Sequence, residues 1–255
     1  MIQIHGLHLV MGGNTVLHPM SLDSARGQVT AIIGPNGAGK SSLIRAIAGL
    51  LPPVSGSIFI GDTPLRRLSQ RDRAKQLGYL PQNASPAWAI TVREMVALGR
   101  LPHRSAFAAP SAEDLRCVDQ ALADTDLLLL ADRRVDTLSG GEMARAAFAR
   151  VLAGQSDWIL ADEPLANLDP AHQRDVLRLL RAAADSGKGV IVVLHELTAA
   201  AALADAVILL KQGVLLGSGP NTALLTPERL SATFDIEMDV AQLGDQLAIL
   251  PRPPL

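Results

Sequence analysis

Nine consecutive residues constrain this chain more than any others: Gly34-Pro35-Asn36-Gly37-Ala38-Gly39-Lys40-Ser41-Ser42. They fit the pattern G-x-x-x-x-G-K-[ST]. An apolar run, Val29 to Ile33, precedes them, and a helix-like stretch starts near Lys40. The spacing has a chemical reason. Gly34, Gly37 and Gly39 let the backbone bend so that successive N–H groups point inward at phosphate oxygens. The helix that follows adds the positive end of its dipole. Lys40 is placed to reach β- and γ-phosphates, and the Ser41 hydroxyl to ligate Mg²⁺. The plainer alternative is a glycine-rich turn with a solvated lysine. A strand before and a helix after favour the phosphate loop.

Composition narrows the class. At 255 residues the chain suffices for one large domain or two small ones, and 48% hydrophobic content supports a real core. A net charge of −2 gives no electrostatic case for nucleic acid, and no polybasic run suits an anionic membrane. Cys117 is the single cysteine, which excludes an internal disulfide and fits a reducing compartment; it reads as a small buried apolar residue on a helix. The opening Met1 to His5 has neither the basic flank nor the apolar segment of a signal peptide. The greasiest region, Val190 to Leu210, is broken by His195, Glu196 and Asp205, short of the ~20 apolar residues a membrane helix needs. The expectation is a chain soluble by itself, with any membrane role exercised through a partner.

Along the chain, Gln3 to Val10 and Thr15 to Leu22 read as strands around a Gly12-Gly13-Asn14 turn. Val29 to Ile33, Ser57 to Ile60, Leu77 to Leu80, Trp158 to Ala161 and Val190 to Leu194 read as further strands. Val207 to Lys211 and Val214 to Gly219 read as a terminal hairpin around Gln212-Gly213. Helices are expected near Ser69 to Lys75, over Ala171 to Ala184, and after residue 195. The fold class is therefore α/β, a mostly parallel sheet with an antiparallel N-terminal portion. The boundaries expected are a core at 1–82 and 156–225, an inserted helical subdomain at 83–155 and a C-terminal extension at 226–255. The tail Pro251-Arg252-Pro253-Pro254 reads as unstructured.

Two further segments carry chemistry. Asp162-Glu163 follows an apolar strand, so the pair sits at a strand's carboxyl end, where open α/β sheets place ligand-binding groups. Asp162 can hold Mg²⁺, and Glu163 can take a proton from an attacking water. Leu138-Ser139-Gly140-Gly141-Glu142 opens a helix, with Ser139 as N-cap and Glu142 completing a capping box. That is one reading. The other is a second anion site formed by Ser139 and the amides of Gly140 and Gly141. One nucleotide does not need two such sites in one chain, but two copies arranged head to tail would use both.

The ordered set resembles the ATP-binding-cassette ATPases over nearly the whole chain. Gly34 to Ser41 resembles Walker A, and Gln82, after Tyr79-Leu80-Pro81, resembles the Q-loop glutamine. Leu138 to Glu142 resembles the LSGGQ signature, and Trp158 to Glu163 Walker B with its catalytic glutamate. Ala166-Asn167-Leu168-Asp169 resembles the D-loop, and His195 the switch histidine. Alone, Gln82 would read as a surface glutamine and His195 as a structural histidine.

The resemblance implies an ATP- and Mg²⁺-dependent ATPase working as a head-to-tail homodimer. Residues 34–42, Gln82, Ser139, Gly140 and Gly141 would bind nucleotide, Ser41, Gln82 and Asp162 the metal, and Glu163, His195 and Lys40 would carry catalysis. It also implies a peripheral position at the cytoplasmic face of the inner membrane and a separate permease dimer, with a substrate-binding protein met only indirectly. Thr91 to His103, followed by Ser111 to Asp114, resembles the ATPases of iron-siderophore, haem and cobalamin importers. Pro86 to Ile90, with Trp88, is a candidate docking patch or ordinary subdomain core. Nucleic acid is not an expected partner. A soluble cassette acting on nucleic acid or ribosomes, and a cassette that binds without hydrolysing, are the alternatives.

Three departures stand out. Met11 occupies the place of the aromatic residue that stacks on adenine, and a thioether packs more weakly there. Glu142 replaces the signature glutamine; the capping box would turn its carboxylate back toward the Ser139 amide and away from a γ-phosphate. Leu165 stands where a threonine is common, a change expected to be neutral.

Overall fold

The computed structural model describes residues 1–82, 89–105, 108–244 and 246–252, the side chain of Gln246 excepted. The chain opens on a hairpin, β1 (Ile2–Met11) and β2 (Asn14–Ser24), then enters β3 (Val29–Ile33), whose five residues are all buried. After α1 (Lys40–Ile47) come β4 (Ser55–Ile60), the short β5 (Thr63–Pro64), α2 (Gln70–Gln76) and β6 (Leu77–Leu80). A helical stretch follows: α3 (Val92–Ala97), α4 (Ala112–Asp124) and α5 (Gly140–Ala153). The chain returns to the sheet through β7 (Trp158–Asp162), α6 (Pro170–Asp185), β8 (Gly189–Val193), α7 (Leu197–Leu203), β9 (Ala206–Lys211) and β10 (Val214–Pro220). It closes with α8 (Asn221–Leu224), α9 (Pro227–Phe234) and a hairpin of β11 (Met238–Leu243) and β12 (Gln246–Pro251).

The central sheet runs β10-β9-β3-β8-β7-β6, parallel except for the antiparallel edge pair β10–β9. Its inner strands are buried throughout and mostly apolar, as a sheet covered on both faces requires. A second sheet, β2-β1-β4-β5, is antiparallel and shares a core with α1 and the near face of the central sheet. The other face packs against α3 to α6 through Phe148, Leu122, Leu180 and Val96, all buried. The α/β class with an antiparallel N-terminal portion is thus realised.

Helix starts follow local chemistry. Thr91, Ser111 and Ser139 cap α3, α4 and α5 with full capping boxes, while Asp169 caps α6 with Pro170 at its first position. Cys117 is buried on α4, as read.

One expectation fails at Pro251 and Arg252, while Pro253 and Pro254 lie outside the described residues. Pro251 is the last residue of β12, and Arg252 is tied back rather than loose. Its backbone N–H donates to Glu237 O at 2.8 Å and its guanidinium meets Asp239 at 2.6 Å. Ion pairing and strand register hold these two residues, where the proline content suggested disorder. Among the described residues no helix is long and apolar enough to cross a membrane.

Candidate nucleotide site

The phosphate loop leaves the carboxyl end of β3 and enters α1 at Lys40. Its N-cap, Gly39, is left-handed (φ 94°), and no side chain caps the helix, so the first-turn amides are left for an anion. The loop is braced from behind. Gly213 N–H donates to Ala38 O at 3.1 Å, and His18 N–H to Gly213 O at 2.8 Å. Gly34 lies so close to β9 that a Cβ there would stand 2.0 Å from Leu210 O. Asn36 and Gly37 are exposed, Pro35, Ser41 and Ser42 half-buried, and Ala38 buried. The Lys40 ammonium is buried and donates to Gly34 O at 2.8 Å and Pro35 O at 3.0 Å. Burial holds it below the usual lysine value, while the charges of Glu163 and Asp162 pull the other way.

The strand-end acids divide their tasks. Asp162 is wholly buried at the end of β7. Its Oδ2 accepts from Tyr79 OH at 3.1 Å and meets Arg45 Nη2 at 3.2 Å. Its Oδ1 is buried with no hydrogen-bond partner. Glu163, one residue on, is left-handed (φ 53°), a conformation non-glycine residues adopt at a cost and keep mainly at functional sites. Its Oε2 accepts from Gln82 Nε2 at 2.6 Å, and its Oε1 lies 2.6 Å from His195 Nε2. Gln82, Glu163 and His195 thus converge from the ends of β6, β7 and β8, which are neighbours in the sheet.

The residues present fit Mg²⁺. The orphaned Oδ1 of Asp162 is a hard oxygen donor in search of a partner, and Ser41 stands one residue after Lys40 in the first turn of α1. No cluster of three or more His, Cys, Asp or Glu capable of holding a metal occurs among the described residues. An ion here would be held by a few protein oxygens plus phosphates, the habit of Mg²⁺ at nucleotide sites.

The Ser139 segment forms the capping box read from sequence. Glu142 accepts from Ser139 N–H at 2.8 Å, and Ser139 Oγ accepts from Glu142 N–H at 3.3 Å. These bonds hold the Glu142 carboxyl below the usual range. The carboxylate is therefore directed at its own helix start, as the departure from glutamine required. Ser139 and Gly140 are exposed. Gly141 is buried against a ring: a Cβ there would stand 1.8 Å from His172 Cδ2. His172 in turn holds Asp169, Nδ1 to Oδ2 at 2.8 Å, while Asp169 caps α6 by accepting from His172 N–H at 3.0 Å. The segment 166–169 and the start of α5 are thus coupled within one chain, and Gln82, Gly140, Asn167 and Leu168 line one small cleft of about 180 Å³.

Met11 ends β1 about half exposed, paired with Asn14. The same hairpin approaches the phosphate loop through Leu17, since a Cβ on Gly39 would stand 2.6 Å from Leu17 Cδ2. Leu165 is buried in the main core. Residues 86–88 of the docking patch, Trp88 included, lie outside the described residues. Sequence reasoning missed Arg45, Tyr79 and His172. Each belongs to a segment that was singled out, but only tertiary contact reveals its partner.

The family profile described as ABC transporter matches residues 17–166. The hemin import ATP-binding protein HmuV of Bordetella pertussis is 39% identical, covering 98% of this chain and 99% of its own length. Its namesake in Pseudomonas fluorescens is 41% identical over 95% of each. Among solved structures, an inward-facing ABC transporter described as of metal-chelate type superposes with a TM-score of 0.86 at 29% identity, covering 99% of this chain and 97% of that one. An ATP-binding cassette solved as a dimer in a post-hydrolysis state, bound to ADP and Pi, superposes with a TM-score of 0.74 at 28% identity, over 86% and 98%.

Proposed function

This chain belongs to the ABC transporter family, as an ATP-hydrolysing, ATP-binding subunit, and from that premise we propose that it powers hemin import through a separate membrane permease. The observation that carries the substrate is the near end-to-end identity of 39% with a hemin import ATP-binding protein. The neighbour of metal-chelate type supports the same class.

The domain division follows the same reading. Residues 1–82 and 156–225 form the nucleotide core, 83–155 the helical subdomain that meets the permease, and 226–255 a C-terminal extension. The site works as a homodimer, two copies head to tail. Lys40 and the amides of residues 34–39 hold the phosphates, Ser42 extends the cradle, and Met11 packs on the adenine. Ser139, Gly140 and Gly141 of the second copy close on the γ-phosphate with the positive end of α5. Ser41, Asp162 and the side-chain oxygen of Gln82 would hold Mg²⁺. When bound, the ion offsets charge on the β- and γ-phosphates.

Glu163 does the proton chemistry. Its carboxylate, drawn into place by Gln82 on one oxygen and His195 on the other, takes the proton of the attacking water. His195 then turns its Nε2 toward the γ-phosphate. Glu142, bound to its own helix start, adds no repulsion at the closing face. Placed at the cytoplasmic face of the inner membrane, the pair closes on ATP and opens after hydrolysis, and the permease follows that stroke. The substrate-binding protein acts across the membrane, without contact.

Reconstitution with the permease in vesicles tests this. ATP should drive uptake of labelled hemin, and Glu163→Gln should stop it. Uptake of a ferric siderophore or cobalamin without hemin would reassign the cargo; ATP turnover with no uptake at all would refute the importer role.

A further inference from the structure

Asp162 is the one wholly buried carboxylate of the site, and its two oxygens are treated differently. Oδ2 accepts from Tyr79 OH at 3.1 Å and pairs with the Arg45 guanidinium, Nη2 at 3.2 Å. Arg45 Nε also donates to Tyr79 OH at 3.4 Å. A tyrosine hydroxyl has one proton, so it gives that proton to Asp162 and accepts from Arg45. The three side chains form a closed triangle: Arg45 donates to Tyr79 and pairs with Oδ2, and Tyr79 passes its own proton to Oδ2. Oδ1 receives nothing from the protein.

The triangle ties together the three segments that carry the site. Arg45 lies on α1, five residues after Lys40. Tyr79 lies on β6, three residues before Gln82. Asp162 precedes Glu163, and β6 pairs with β7 in parallel, Tyr79 opposite Leu160. A carboxylate with two equivalent oxygens would rotate and share its donors. Two donors on one oxygen fix the rotamer and leave the other oxygen aimed where no protein group competes with a cation.

We propose that Arg45 and Tyr79 are positioning residues for the metal: by claiming Oδ2 they commit Oδ1 of Asp162 to Mg²⁺. This rests on the assignment of Asp162 as a metal ligand made above. Neither residue touches nucleotide or reacting atoms, so each acts through Asp162.

The test is binding of a fluorescent ATP analogue by the full chain, with Mg²⁺ and with EDTA, beside a melting curve for each variant. Tyr79→Phe keeps the ring and removes the donor. Arg45→Met removes the charge, and Arg45→Lys restores it without the fork. Partners of a metal ligand are worth roughly 10- to 100-fold in metal affinity. Tyr79→Phe and Arg45→Met should each weaken binding of the Mg²⁺ complex by about tenfold and leave metal-free binding unchanged. Arg45→Lys should recover part of the loss. Equal weakening with and without metal would reduce the pair to a structural role and overturn the proposal. So would an unchanged Mg²⁺ preference in both variants while Asp162→Asn loses it. If Asp162→Asn itself keeps the parental preference, the metal assignment fails and the proposal falls with it.

Discussion

Glu163 sits between Gln82 and His195 in a strained backbone conformation, and its replacement separates binding from chemistry. Glu163→Gln should keep ATP binding and lower turnover by about 10²–10⁴-fold, read as phosphate release beside nucleotide affinity. The adjacent glycines of the signature segment should differ. Gly141→Ala drives a methyl into the His172 ring, within 1.8 Å, whereas the nearest atom to a Cβ on Gly140 is Leu168 Cδ2 at 4.0 Å. Chemical denaturation should show Gly141→Ala less stable by about 1–3 kcal/mol and Gly140→Ala close to the parent. Equal losses at both positions would mean the contact with His172 is not what excludes a side chain. At this scale the sequence was legible where residue type and spacing already imply a ligand: Lys40 after a glycine-rich turn, Asp162 and Glu163 after an apolar strand. It was silent on Arg45, Tyr79 and His172, because an arginine or histidine on a helix has many partners within reach and only the fold selects one.

Elements are held by local rules with a few long-range ties. The buried Arg100, in the turn after α3, donates to Asp114 Oδ1 at 2.8 Å, and Asp114 closes the capping box of α4. Arg100 and the Ser111 donors hold the Asp114 carboxyl at about 2, below its ordinary 3.8. A depressed carboxyl stabilises the fold above its unfolded value and loses that contribution as pH falls through the folded one. The difference is worth roughly 2 kcal/mol. Asp114→Asn should therefore lose about 2 kcal/mol or more at neutral pH, with the gap to the parent closing between about pH 4 and pH 2 in urea titrations.

The C-terminal hairpin is the element the sequence reading missed. Its signal was present: Gly244-Asp245 between two alternating apolar runs is a two-residue turn pattern. Flanking prolines and charges outweighed it. Met238 and Ile249 are buried on its inner face, and Ile249 N–H donates to Thr198 Oγ1 on α7, the helix that follows His195. Ending the chain after Asp235 should cost about 3 kcal/mol and lower the melting temperature by about 6–12 °C. An unchanged melting curve would show the hairpin adds nothing to α7.

For the whole molecule, the proposed head-to-tail pairing makes a sharp demand. If, as proposed, the phosphate loop and the exposed Ser139 face of one copy serve different composite sites, a Lys40→Ala copy mixed with a Ser139→Ala copy should regain turnover that neither shows alone, through the one intact site of each mixed pair. Absence of recovery, with both variants folded and paired, would rule out sites shared between copies.

The seating of Gly34 against Leu210 also bears on how this protein is made. Strand β9 pairs with β3 and walls the phosphate loop, yet it is synthesised about 170 residues later. A ribosome that has translated only the nine-residue motif has made a sequence without a pocket. Chains cut short before β9 lack the wall behind the loop and should hold nucleotide poorly, which nucleotide affinity of a chain ending at Leu203 would check.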